Sequence, residues 1–435
     1  MRGPSLETAD GRESGRSARL SKSASRIPRP TLEGLAWVMV FLGVALRIAE
    51  YADFRRLYLD EVSLLKSLQG RAVFDFSQVL VEEQMAPPGF LVVERLLVRL
   101  PWEVEATARL FPLLCGLISM FLVHAVSRRY LDPRAVPLAV ALFAMGHVLL
   151  YYSAETKQYS CDLMLSLAAL LLAAPAPPAV LSRDRFRALV VFGMVAPWFS
   201  FTVVFPLAVV GLQLIGSAIR KGDRRGTVLL LATGLAWVVS FSGCYVLSRS
   251  TLSRGSFIWE WWDFAFLPLP PRSLADLSRL GLALANAFIN PGGILTPLPP
   301  PYTAGLAAAC WLAGLVSLGR RWPGGLWILA GPIVLALAAS ALRLYPFHGR
   351  LLIYLTPAFL MPMAEGVAAI GRRGGWRWSL LLASLFVLGE AGDVVWHRAI
   401  QRRARSFDSH GDLRPDLLDH LERQYPKPPS QRTDH

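Results

Sequence analysis

The chain has 435 residues, of which 54% are hydrophobic and only 17% charged, with a mean hydropathy of +0.41. A water-soluble domain of this length needs far more polar surface, so the composition excludes a soluble globular protein. The formal net charge of +14 suggests nucleic acid in a soluble chain, but here the arginines gather in short loops between apolar blocks, so no nucleic-acid partner is expected.

In chain order, residues 1–32 are rich in Ser and Arg and poor in large apolar side chains. They bury too little to offset their ordering entropy, and a disordered cytoplasmic tail is expected. Apolar blocks follow, long enough to carry a helix across ~30 Å of hydrocarbon. Helical spans are predicted at roughly 34–50, 106–127, 134–152, 159–175, 187–199, 201–219, 227–247, 303–319, 326–342, 350–370 and 377–395. The expected fold is an all-α polytopic membrane protein of about eleven transmembrane helices, one bundle over 33–395 with a polar C-terminal tail over 396–435.

Arg128, Arg129 and Arg134, then Arg183, Arg185 and Arg187, then Arg220, Lys221, Arg224 and Arg225 fall on one side of the predicted bundle, as do Arg320, Arg321, Arg372 and Arg373. The positive-inside rule makes that side cytoplasmic. The long first outward loop, residues 51–105, carries more acid than base and an amphipathic run from Phe90 to Leu100. Pro197 and Pro206 are expected to break the helical ladder in two short segments that form a tight hairpin. The outward region 248–302 holds three tryptophans between 259 and 262, a Pro-rich stretch and an amphipathic piece near 274–289. Cys115, Cys161, Cys244 and Cys310 lie one per apolar segment without metal-ligand spacing and read as small core residues.

Unusual polar residues concentrate on the outward side. In Tyr58-Leu59-Asp60-Glu61 a carboxylate is placed to accept a proton from an attacking hydroxyl, or, more plainly, to cap a helix. Pro87 and Pro88 fix the backbone at one corner of the first loop. In the turn from Tyr151 to Tyr159, Glu155 and Lys157 are stabilised either by each other or by a charged ligand. Tyr345-Pro346-Phe347-His348-Gly349-Arg350 puts a guanidinium at the outer end of a late span, suited to a phosphate or to lipid head groups. Trp261 and its neighbours suit either interfacial anchoring or stacking on a sugar. His348 has no second ligand at metal spacing, so no metal site is expected.

The ordered set resembles the polyprenyl-phosphate-dependent glycosyltransferases of the C-type membrane superfamily, which includes protein O-mannosyltransferases, the aminoarabinose transferase of lipid A and lipopolysaccharide-core galacturonosyltransferases. The matches are Asp60 and Glu61 soon after the first span, the Pro87-Pro88 turn, the Tyr152, Glu155, Lys157 and Tyr159 stretch, and Tyr345, Pro346 and Arg350 opening a late span. They run over roughly 34–395. The resemblance implies an inverting transfer of a sugar from a polyprenyl-phosphate donor to a lipid, polysaccharide or protein acceptor, at the extracytoplasmic face of the plasma (inner) membrane. Asp60 would be the base and Glu61 would orient the acceptor or the base. Lys157 and Arg350 would hold the donor phosphate, and Glu155, Tyr159, Tyr345 and Trp261 would line the sugar or acceptor subsite. No other cofactor is implied. Where family members commonly carry a Lys before the Pro pair, this chain has Gln84, Met85 and Ala86, so other cations must meet the phosphate. A transporter or flippase for a lipid-linked or anionic solute is the competing reading, but the chain shows no internal repeat of paired broken helices.

Overall fold

The protein is described from a computed structural model over residues 29–53, 55, 57–81, 84–174, 182–249 and 258–406. Of the two expected tails, residues 1–28 and 407–435 lie outside the described residues. Helix reaches into both: α1 (Arg29–Ala52) begins before the predicted boundary and α17 (Trp376–Ser406) runs past the other.

Between these lie α2 (Leu59–Leu68), α3 (Pro88–Leu97), α4 (Val104–Ala108), α5 (Leu110–Tyr130), α6 (Val136–Met145), α7 (His147–Tyr152), α8 (Tyr159–Ala173), α9 (Arg183–Val195) and α10 (Val204–Arg220). Then come α11 (Arg224–Arg249), α12 (Ile258–Trp261), α13 (Leu274–Ile289), α14 (Pro300–Arg321), α15 (Pro323–Ala341) and α16 (Thr356–Gly374). No strand occurs among the described residues. Among the described residues helix occurs in every predicted segment, with non-helical residues that include 146 and 199–203. Seven helical stretches among the described residues are long and apolar enough to cross a bilayer: α1, α4 with α5, α11, α14, α15, α16 with the 3₁₀ turn before it, and α17; α6, α8 and α10 are shorter apolar helices.

Burial sorts these helices. Every residue of α6 is buried, as expected of a helix apolar on all sides. In contrast α1, α11 and α17 leave Phe41, Val228, Val239 and Leu388 exposed, the surface that meets lipid. Helices α14 and α16 approach each other closely. A Cβ on Gly314 would stand 1.7 Å from the Pro362 carbonyl oxygen, and one on Gly366 1.7 Å from that of Cys310. Only small residues permit that approach.

The expected broken hairpin is corrected in part. Pro206 sits in the first turn of α10, where its missing N–H would have had no helical partner, so it starts a helix instead of breaking one. Pro197 lies in a 3₁₀ turn (Ala196–Trp198) that ends α9. The amphipathic piece at 274–289 is α13, capped by Ser273, whose hydroxyl accepts from the Asp276 N–H at 3.1 Å.

One end of the bundle collects arginines. There Arg372 pairs with Asp132 at 2.9 Å, Arg321 donates to the Tyr130 carbonyl at 2.6 Å and Arg185 to that of Leu171 at 2.9 Å. At the other end, α2 and α3 form a small separate core of Leu64, Leu68, Leu80, Phe90 and Leu91. Phe90 packs on Phe111 at the start of α5, which seats the first loop on the bundle.

Candidate active site

The site lies at the end where α1 leaves, α5 begins, α7 turns into α8 and the 3₁₀ turn Gly349–Leu355 precedes α16. Asp60 and Glu61 open α2 and have opposite fates. Tyr58, not Asp60, occupies the cap position, and the Glu61 carboxylate accepts from the Tyr58 N–H at 3.0 Å. Glu61 is fully buried and its acceptor capacity is spent. Oε1 takes Arg109 Nε at 2.9 Å and the Thr156 N–H at 3.0 Å, while Oε2 takes Arg109 Nη2 at 2.8 Å and Arg55 Nη1 at 3.3 Å. This carboxylate fastens the first loop to α5 and to the α7–α8 turn, and leaves nothing for an acceptor.

Asp60 instead points across the bundle to Arg350, with Oδ2 at 2.7 Å from Nη2. Gln84, from the corner before Pro87, hydrogen-bonds to Asp60 and accepts from the Lys157 ammonium. Burial raises the Asp60 pKa, but the charges of Arg350 and Lys157 and the hydrogen bonds from Arg350 and Gln84 outweigh it, so the carboxyl is held below its ordinary value. The Lys157 ammonium is pushed down, chiefly by burial, with Asp60 opposing and Arg350 adding to the effect.

Arg350 follows Gly349, whose φ of +46° is a backbone state that suits Gly. Its guanidinium lies 5.8 Å from the Tyr159 ring centre and 6.0 Å from that of Trp262. Tyr345 supports it from below: its hydroxyl donates to the Leu351 carbonyl at 2.9 Å and its ring packs on Phe205 and Tyr354. Tyr345 therefore positions the turn that carries Arg350, in contrast to its expected place in the sugar subsite. The indole beside Arg350 belongs to Trp262, one residue on from the expected Trp261, which is 37% exposed. Pro87 caps α3 and Pro88 is its first residue, both buried, which aims the Gln84 corner at Lys157.

Glu155 is buried, and burial pushes its carboxyl up to about 7 despite the Arg55 charge, which lies 3.9 Å away. Four buried polar atoms of this neighbourhood have no hydrogen-bond partner among the described residues: Glu155 Oε2, Thr156 Oγ1, Gln158 Oε1 and Arg55 Nε. Buried polar atoms of this kind are costly unless a water or a polar ligand meets them.

Asp60, Glu155, Lys157, Tyr159 and Arg350 thus converge, as sequence reasoning required. Sequence reasoning missed Arg55 and Arg109, gave Gln84 no part in the site, and singled out Trp261 over its neighbour Trp262. Arg55 stacks 3.9 Å over Tyr151, bonds its hydroxyl at 3.0 Å and joins Glu61 to Glu155. Its signal in the sequence was weak, since it is one of several bases in a loop where acids outnumber bases.

No protein-family model matches the sequence, and no curated protein matches it. Solved structures do. ArnT from Cupriavidus metallidurans bound to undecaprenyl phosphate is 18% identical with a TM-score of 0.50, over 80% of this chain and 62% of that chain. The archaeal oligosaccharyltransferase AglB from Archaeoglobus fulgidus, in complex with an inhibitory peptide and a dolichol-phosphate, is 14% identical with a TM-score of 0.50, over 92% of this chain and 60% of that chain. The chain spans less than two thirds of the length of either. At this identity the likeness concerns architecture alone: the chain shares the fold of these two membrane proteins.

Proposed function

We propose that this chain is a membrane glycosyltransferase that moves a sugar from a polyprenyl-phosphate donor to a hydroxyl of a lipid, polysaccharide or protein acceptor, with inversion at the anomeric carbon. The observation that carries this reading is the Asp60–Arg350 pair at 2.7 Å with Lys157 beside it, at the opposite end of the bundle from the arginine-rich loops. By the positive-inside rule the site faces the extracytoplasmic side of the plasma membrane, where a lipid-linked donor presents its phosphate. The two structures of similar fold hold undecaprenyl phosphate and dolichol-phosphate, which supports a lipid phosphate as the donor class.

The pair also suggests how the base is controlled. While Arg350 sits on Asp60, the carboxylate is ionised but weakly basic. An arriving phosphodiester draws Arg350 and Lys157 to itself, and Asp60, relieved of the guanidinium, becomes a stronger base. The acceptor hydroxyl gives its proton to Asp60 as its oxygen bonds to the anomeric carbon. The bond from that carbon to the phosphate oxygen breaks, and polyprenyl phosphate leaves with one additional negative charge. Arg350 and Lys157 offset that charge, so they bind the transition state more tightly than the bound donor. Glu61, Arg55 and Arg109 position the Asp60 loop, and Glu155 lies where sugar hydroxyls meet unpaired buried acceptors.

The test is release of polyprenyl phosphate from a polyprenyl-phospho-sugar by the purified chain in lipid, with Asp60→Asn alongside. Release by the native chain and its loss in the variant supports the reading; equal release in both rules out Asp60 as base.

A further inference from the structure

We propose that His147, Asp393 and His397 form a binding site for one divalent transition-metal ion of the zinc class. The site is separate from the Asp60–Arg350 centre and joins the last helix to the segment that carries Glu155 and Lys157.

His147 is the first residue of α7, just after Gly146, where the backbone leaves helical geometry between α6 and α7. That break turns the imidazole toward α17. Asp393 and His397 stand four residues apart on α17, on one face of the helix. His147 Nδ1 lies 3.0 Å from Asp393 Oδ2, and His397 Nε2 lies 3.2 Å from Asp393 Oδ1. The three donor groups come within 4.8 Å of one another, and the two imidazoles stack with centroids 5.4 Å apart at 24°. Ligands about 2.1 Å from a tetrahedral ion stand roughly 3.4 Å from each other, and the two imidazole–carboxylate distances lie near that spacing.

The plainer reading is an aspartate hydrogen-bonded to two histidines. On one side the geometry fits that reading less well, because His147 Nδ1 and Asp393 Oδ2 are buried and 3.0 Å apart, close enough for the imidazole to stabilise the carboxylate, yet off strict hydrogen-bond alignment. Atoms that approach without pointing at each other suit a common third partner. Glu390, one turn earlier on α17, is also buried with both carboxyl oxygens unpartnered among the described residues. Two imidazoles and a carboxylate select zinc-like ions over calcium or magnesium, which take oxygen ligands. The His397 side chain is half exposed, so an ion has a route in and a fourth coordination position is open to water.

Such an ion would clamp α17 to the start of α7, and α7 leads directly into the Tyr151–Tyr159 turn. The untagged full chain in detergent, stripped with chelator, is titrated with Co²⁺ and then Zn²⁺. One Co²⁺ per chain with a visible absorption band, displaced by Zn²⁺, is expected, together with a rise in Tm on adding Zn²⁺. Asp393→Asn and His397→Ala should each lose the band and the Tm response, and His147→Gln, which changes the other helix, should do the same. Absence of any bound ion in the native chain, or full stoichiometry in the Asp393→Asn/His397→Ala double variant, overturns the proposal. These readouts do not involve sugar transfer, so they stand or fall apart from the transferase reading.

Discussion

Two networks of arginine and carboxylate terminate the bundle, one at each end, and they differ in how completely they close. At the arginine-rich end, buried Glu365 accepts from the Asp132 N–H at 2.7 Å, Ser317 at 2.8 Å and Arg372 at 3.2 Å, with Arg321 at 3.5 Å. No polar atom of that carboxylate is left over, and the cluster ties the α5–α6 connection, α14 and α16 together. At the other end Glu61 is closed in the same manner, but around it Glu155, Thr156, Gln158 and Arg55 keep unpartnered buried atoms. A charge cluster by itself says little about function; one whose bonds are incomplete is where a ligand belongs.

This contrast is open to attack by substitution. The largest effect is expected at Asp60: Asp60→Asn should lower kcat for transfer by about 10²–10⁴-fold, the weight of a general base, while donor binding survives. Rapid-mix assays with a labelled donor measure both. Next come the two closed carboxylates, since removing one partner of a buried pair costs ~3–5 kcal/mol. Glu365→Gln and Glu61→Gln should both depress the Tm, but only Glu61→Gln should also slow transfer per folded molecule. If Glu61→Gln is as stable as the native chain, its fastening role is wrong. Arg350→Ala should weaken donor binding roughly tenfold to a hundredfold, the value of a charge-assisted hydrogen bond, with less effect on the acceptor KM. Equal losses for donor and acceptor would count against a phosphate contact.

The smallest effect is a pH dependence at Glu155. Its folded pKa is raised to about 7, so the folded protein keeps a proton that the unfolded chain has already lost. Stability should therefore fall as pH rises from the ordinary carboxylate range through about 7. Donor affinity should fall over the upper part of that window, because an ionised Glu155 repels the phosphate. Glu155→Gln should flatten both curves; an unchanged pH profile in that variant would remove Glu155 from the donor subsite.

Most of the bundle was legible because a membrane imposes one length on every apolar helix, and interruptions in that pattern are hard to miss. The Pro206 error arose because composition does not separate a proline that breaks a helix from one that begins it. In the site, Asp60, Lys157 and Arg350 were visible as charges out of place. The closure of Glu61 by Arg109 was not, since it depends on two segments meeting in space. Trp261 and Trp262 are neighbours at the end of a four-residue helix, too short for periodicity to tell which ring turns toward Arg350. Asp393 and His397 had helical ligand spacing, but their third partner, His147, lies on another helix far along the chain.

A structure of the full chain with polyprenyl phosphate bound would address the whole scheme at once. The phosphate should sit within hydrogen-bonding distance of Arg350 and Lys157, with Arg350 drawn off Asp60. A phosphate seated elsewhere, for instance among Arg320, Arg321, Arg372 and Arg373 at the opposite end, with the Asp60–Arg350 contact intact, would contradict it.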